Sequence, residues 1–367
     1  MSAYTPVAMP AARFHGSYDP PDIEFLLRPV TIGSVEIAEK EWLIQTGRRH
    51  YSEMLCAEMV PSPAYLELYR DAVNGGAHRF GRDTAALALA LFRGKGQPVT
   101  LVSLVRAGVP LGVLLRRALA ELQADVAHYG ISIIRDRGID IVALNHVLFR
   151  RPVDGLVFVD GWTGKGAIAS ELEASLAGHP ALAPRLVTLA DAAGRAWLSA
   201  SGEDWLIPSG ILGATISGLT SRSVLNDALV GPGQFHACTV QSHLAGHDVS
   251  RAFIEAVWPH VEAALKTVQP ASWTDVDRSA ARSLAEDAIA LVAARCGVID
   301  RNRIKPGIAE ATRAVLRRVP ERVLVVDPKD PDLAPLVTLA ELSGVALDTV
   351  GPTLGPYKAI TLIRKVG

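Results

Sequence analysis

The sequence predicts an α/β protein on a parallel sheet, followed by a smaller α/β module at the C-terminus. Three observations carry that prediction. Apolar runs of about four to eight residues alternate with helical patterns through the middle of the chain. Polar, glycine-containing turns stand at the ends of three of those four runs, where open parallel sheets place their chemistry. The length of 367 residues also exceeds what one hydrophobic core usually organises, so two domains or three are expected.

Residues 1–25 are rich in Pro, Ala and Ser without periodicity and read as a loose leader. A helical region is expected from about Ser52 to Phe92, because "DTAALALALFRG" joins helix formers to a glycine stop. Strands follow at 98–105, 126–134, 155–160 and 185–191, and helical patterns stand behind "RAGVP" and "GWTGKG". From 203 to 298 the pattern is a less regular helical continuation of a domain spanning 26–298. One helix is expected behind Asp248 and a longer one runs to Gly297. Residues 299–367 read helix (309–318), strand (322–327), helix (331–343), strand (345–350) and a last strand near 358–364.

A net charge of −1 excludes a chain that binds nucleic acid by bulk charge, yet the charge is uneven. From Arg301 onward there are 11 Lys+Arg against 7 Asp+Glu, a basic tail on an acidic body, which points to an anionic partner. Three cysteines without a CxxC argue against a disulfide scaffold or structural zinc and for a reducing compartment. No signal-peptide pattern opens the chain. The longest uncharged stretch, around Trp205–Ser221, holds Pro208 and three glycines, so no membrane span is expected and a cytoplasmic location is.

Residues 156–167, "LVFVDGWTGKGA", place an acid and a glycine-rich turn at the end of a buried strand. Free amides at a strand–turn–helix junction bind phosphate, and the helix dipole adds a favourable field. Val159 and Gly166 exclude a Walker A loop. What remains suits a ribose phosphate, with hydroxyls for the acid and a phosphate for the amides. This pattern resembles the phosphoribosyl-diphosphate (PRPP) loop of type I phosphoribosyltransferases. "SLVRAGVPLG" (103–112) is similar to their pyrophosphate loop, and "SIIRDRGID" (132–140) stands where they carry a mobile loop.

The resemblance implies a type I phosphoribosyltransferase-like core that displaces pyrophosphate from PRPP. Arg106, Ala107 and Gly108 would hold pyrophosphate, and Asp160 would contact the ribose, directly or through a metal. Gly161, Thr163, Gly164, Lys165 and Gly166 would cradle the 5′-phosphate, with Arg135 and Arg137 closing over the leaving group. Pyrophosphate leaves poorly unless its charge is neutralised, so Mg²⁺ is implied. A single acid and a short turn depart from the family pattern. They keep open a protein that senses nucleotides and binds RNA without turnover.

Taken with "HYSEML", these motifs resemble the phosphoribosyltransferase-like proteins of bacterial tellurium-resistance and stress gene clusters, also known as the StiP cysteine-protease family. That group implies a stress setting and a linked RNA-binding module. "IKPGIAEATRAVLRR" and the segment after it resemble the Pelota and kink-turn-binding superfamily. The likeness implies RNA contact by Lys305, Gly307, Glu310, Thr312 and Arg313, with Arg317 and Arg318 on phosphates; Ala309 replaces that superfamily's asparagine. A homodimer is a further expectation.

The alternative activity is a peptidase. A cysteine nucleophile needs an activating base, and the sequence offers Cys238 beside His236 and Cys56 beside His50. A cysteine among apolar neighbours is more often inert core. "SGLTSRSVLN" (217–226) is a candidate second anion site around Arg222, or else a plain polar loop.

Overall fold

The computed structural model describes residues 13–365. Within the expected leader, residues 1–12 lie outside that range, and residues 13–25 are packed rather than loose. Tyr18 is buried and donates its hydroxyl to the Ile216 carbonyl at 2.8 Å, and the Phe25 amide donates to Phe14 O at 2.7 Å.

The central sheet is wholly parallel. Its strands are β1 (Glu24–Phe25), β2 (Pro98–Leu104), β3 (Asp125–Ile131), β4 (Leu156–Val159), β5 (Leu186–Asp191) and β6 (Leu198–Ser201). They lie in the order β1-β3-β2-β4-β5-β6, and the short strand Trp162–Thr163 also pairs with β5. Leu101 sits between His128 and Val157 in register. Burial on both faces explains why these strands are nearly continuous apolar runs.

One face carries α2 (Pro63–Leu91), α3 (Val109–Glu121) and α6 (Ser250–Ala264), packed through Phe80, Leu87, Leu114 and Phe253. The other carries α4 (Ile141–Arg150) and α5 (Ala167–Leu176), packed through Leu144, Val147 and Leu172. The segment expected as a mobile loop is a small hairpin, with Ile133–Ile134 antiparallel to Gly138–Ile139.

The C-terminal module is a mixed sheet of β7 (Ile304–Pro306), β8 (Pro320–Val325), β9 (Ala346–Thr349) and β10 (Ala359–Ile363), in the order β7-β10-β8-β9. Helix α8 (Ile308–Arg317) and α9 (Ala334–Leu342) cover one face. The long α7 (Asp275–Arg295) covers the other: Ala285, Ala288, Ile289 and Val292 pack on Leu324, Ile360 and Leu362. Strand alternation sorts the contacts, since Val323 and Val325 face the opposite way from Leu324. Helix α7 therefore packs with the C-terminal module, although its sequence reads as a continuation of the first domain.

Candidate active site and the interdomain cleft

The two modules meet over the carboxyl ends of the parallel strands. Asp204, from the loop after β6, accepts the Ile308 amide at 3.0 Å and the Lys358 amide at 2.8 Å. It thereby caps α8 from a distant segment, and burial pushes its carboxyl up to about 6. Tyr357 donates its hydroxyl to Gly164 O at 2.8 Å. Arg318 pairs with Glu41 of α1 (Ile37–Gln45), and Lys40 donates to Arg317 O at 3.3 Å.

Between the modules lies a cavity of about 360 Å³ bounded by Asp160, the 162–169 turn, Arg106 and the inner face of α8. A second cavity of about 250 Å³ shares Lys40, Arg106, Arg222 and Arg317 with it and contains Cys56 and Glu58. Sheet topology thus brings the three expected strand-end loops together. Most of their polar groups, however, are engaged with protein. Thr163 is buried and donates to Asp191, which also accepts the Arg195 and Ala196 amides and Trp273 Nε1 at 2.8, 2.7 and 2.9 Å. The Gly161 amide donates to Asp160 Oδ1 at 2.8 Å. Lys165 donates to Arg301 O and, at 3.3 Å, to Ile304 O.

Backbone approach accounts for two of the glycines. A Cβ on Gly108 would lie 2.0 Å from Val159 O, and one on Gly164 would lie 2.8 Å from Glu310 Cγ. The first locks two strand ends together, and the second holds the 162–169 turn against α8. Gly166 sits at φ +82° and opens α5, while Ala107 lines the cavity. Asp160 is buried beside Arg313, and burial raises its carboxyl to about 7.

Among the described residues no group of three or more His, Cys, Asp or Glu side chains gathers that could hold a metal ion. A Mg²⁺ at Asp160 would find no such cluster of protein ligands.

Arg135 lines the cavity, paired with Asp136 at 3.1 Å; Arg137 is held by Glu53 at 2.7 Å. The expected RNA-contacting residues turn inward. Thr312 is fully buried with its hydroxyl donated to Ile308 O at 2.7 Å. Arg313 stacks on the Trp162 ring, 4.4 Å from its centroid, and donates to Gly210 O at 3.2 Å. Lys305 and Glu310 line the same cavity, and Gly307 at φ +85° precedes α8. Arg317 approaches Glu58 at 3.8 Å. In this arrangement these residues face the first domain: Thr312 is enclosed, and Lys305, Glu310, Arg313 and Arg317 line the cavity.

The two expected Cys–His pairs are not joined by any hydrogen bond among the described residues. Cys238 is buried in a short parallel pairing with Arg28–Pro29, and burial pushes its thiol up to about 12. His236 instead bonds Ser132 Oγ through Nδ1 at 2.8 Å, while its amide donates to Asp140 at 2.6 Å. His50 bonds Ser52 Oγ at 2.8 Å through Nδ1. Cys296 lines a separate outer groove beside α7. Cys56 has a neighbour that spacing did not suggest: Lys40 lines the same cavity, close enough for the sulfur to act on its ammonium. Burial lowers Lys40, and the adjacent sulfur opposes that shift. Glu58 accepts Arg106 at 2.8 Å and the Ala214 amide at 2.7 Å. Burial would raise its carboxyl, but Arg106 and Arg317 outweigh that and hold it at about 2. Sequence reasoning missed Lys40, Glu58, Asp191 and Asp204, each of which matters through a partner remote in the chain.

Residues 16–258 match the family model described as "Tellurite-like stress resistance cysteine protease StiP". The chain belongs to the StiP family. The relative named "Cysteine protease StiP" from Acinetobacter baylyi (strain ATCC 33305 / BD413 / ADP1) is 44% identical over 365 residues, covering 96% of this chain and 95% of the relative. Residues 283–365 match the Pelota RNA-binding domain, a match that begins inside α7, where the packing places the module's own helix.

A solved structure of a mutant hypoxanthine phosphoribosyltransferase from Trypanosoma cruzi, complexed with the product IMP, aligns at 12% identity and a TM-score of 0.23. The alignment covers 51% of this chain and 85% of that one. The expectation of a PRPP-dependent, Mg²⁺-assisted transferase is overturned, because both the StiP family description and the named relative are those of a cysteine protease. What stands is an α/β fold on a parallel sheet with a Pelota-type module. No helix among the described residues is long and apolar enough to cross a membrane.

Proposed function

We propose that this StiP chain is a cysteine peptidase whose nucleophile is Cys56 and whose proton-transfer group is Lys40. The observation that carries the reading is that Cys56 and Lys40 line one cavity, with the sulfur acting electrostatically on the lysine. Cys238 is enclosed and its thiol is held protonated, which disfavours attack.

The thiolate is the attacking form, and nearby cations favour it. Lys40 in its neutral form takes the thiol proton. The sulfur attacks the scissile carbonyl, a C–S bond forms, and the C–N bond breaks as Lys40 returns the proton to the leaving amine. Water, deprotonated by Lys40, then hydrolyses the thioester. Arg106 and Arg222, which line the same cavity, supply positive charge for the carbonyl oxygen as it becomes negative. The lining also includes Leu55, Val60, Leu212 and Leu316, which suits an aliphatic side chain next to the cleaved bond.

Casein hydrolysis by the wild type, Cys56→Ser, Cys238→Ser and Cys296→Ser tests the assignment. Loss of about 100-fold or more is expected for Cys56→Ser alone. Full activity in that variant rules out Cys56.

A further inference from the structure

Nine Lys and Arg side chains line the larger cavity against two carboxylates, Asp160 and Glu310. Some of these cations are balanced from outside it: Arg106 and Arg317 by Glu58, Arg135 by Asp136 and Arg318 by Glu41. Lys40, Lys165, Arg222, Lys305 and Arg313 form no ion pair among the described residues. Arg222 also has a buried Nη1 without a hydrogen-bond partner. A buried charge is costly unless it is paired, and neighbouring like charges add to the cost. Burial depresses Arg313 to about 10 and Lys165 and Lys305 to about 8; Arg106, Lys305 and Arg318, in turn, press the same way, while Glu310 opposes the shift at all three. A folded chain that retains such a cluster retains it for an anion.

We infer that this cavity binds a small ligand carrying two or more phosphate groups, gripped by Arg106, Arg313 and Arg317 with Arg222, Lys165 and Lys305 around them. The guanidinium forks match phosphate oxygens in pairs. A volume of about 360 Å³ stands at the low end of small-ligand sites, which favours a compact oligophosphate or a single nucleotide over a folded RNA or a peptide segment. The walls come from both modules, so the ligand also ties α8 to the ends of β2 and β4. No group transfer is involved, and the inference does not depend on Cys56 being a nucleophile.

Calorimetric titration of the full chain with inorganic pyrophosphate and, separately, ADP tests this. Saturable binding at one site is expected, weakening as salt rises. Pyrophosphate binding as tightly as ADP identifies the anion itself as the ligand, and tighter ADP binding identifies a nucleotide. Arg313→Gln and Lys305→Gln are expected to weaken binding by about tenfold or more each. Without ligand, Lys305→Gln should melt at or above the wild-type temperature, because it removes a buried cation held in no ion pair. That second readout separates a ligand site from a structural ion cluster, whose loss lowers melting. Undiminished binding in both variants, no saturation by either probe, or tighter binding of an oligoribonucleotide or a glutamate-rich peptide overturns the inference.

Discussion

Glu58 stands 2.8 Å from Arg106 and 3.8 Å from Arg317, and the two cations hold its carboxyl at about 2. A depressed carboxylate stabilises the fold above its unfolded pKa, near 4.3, and that contribution disappears as pH falls through the folded value. Glu58→Gln is therefore expected to cost on the order of 2 kcal/mol at pH 7, with the difference from wild type vanishing near pH 2; urea melts across pH measure it. Asp160 has the opposite sign. Burial raises it to about 7, so its charge costs stability as pH climbs from the unfolded value toward and past 7. Asp160→Asn keeps an acceptor for the Gly161 amide. It is expected to melt higher than wild type at pH 8, by on the order of 2 kcal/mol, and to match it at pH 4. Equal melting of the two proteins at both pH values contradicts the assignment.

At the level of elements, Asp204 caps α8 across about a hundred residues of chain. Asp204→Ala strands two amides and is expected to cost about 1–3 kcal/mol. Asp204→Asn, which retains an acceptor, should recover much of that in the same denaturant melts. The strands β2 to β5 and helices α6 to α9 were legible because apolar runs, caps and glycine stops are local signals. The antiparallel edge β7 was not, since Ile304–Pro306 is three residues long and ends in proline. Helix α1 was not either. It buries Lys40 and Glu41, whose partners Cys56, Arg317 and Arg318 come from loop and module surfaces that periodicity cannot foresee. For the same reason spacing suggested His50 for Cys56, while the fold supplies Lys40. The strand-end loops were located correctly along the chain, but what they do depended on what packs over them. Thr163 and Gly164 look like a phosphate cradle in isolation and are stitched to Asp191 and Tyr357 in the molecule.

Across the whole molecule, one hydrophobic core runs from α2 and α3 through Trp162 and Ile211 to Ile308, Val323 and Leu336. Such continuity predicts a single cooperative unfolding transition, with calorimetric and van't Hoff enthalpies in agreement. Removing residues 299–367 exposes the Trp162 and Ile211 faces and strips α7 of its sheet. That truncation is expected to aggregate or bind a hydrophobic dye rather than survive as a folded domain; two separated transitions in the full chain contradict this. RNA contact by the Pelota-type module then has to be tested in the intact chain, on faces other than the buried side of α8.

Covalent trapping reaches the central claim most directly. When the full chain is incubated with a peptidyl vinyl sulfone at neutral pH and digested for mass spectrometry, the adduct is predicted on Cys56, and Lys40→Met should slow its formation. An adduct confined to Cys238 or Cys296, or equal rates with and without Lys40, contradicts the account.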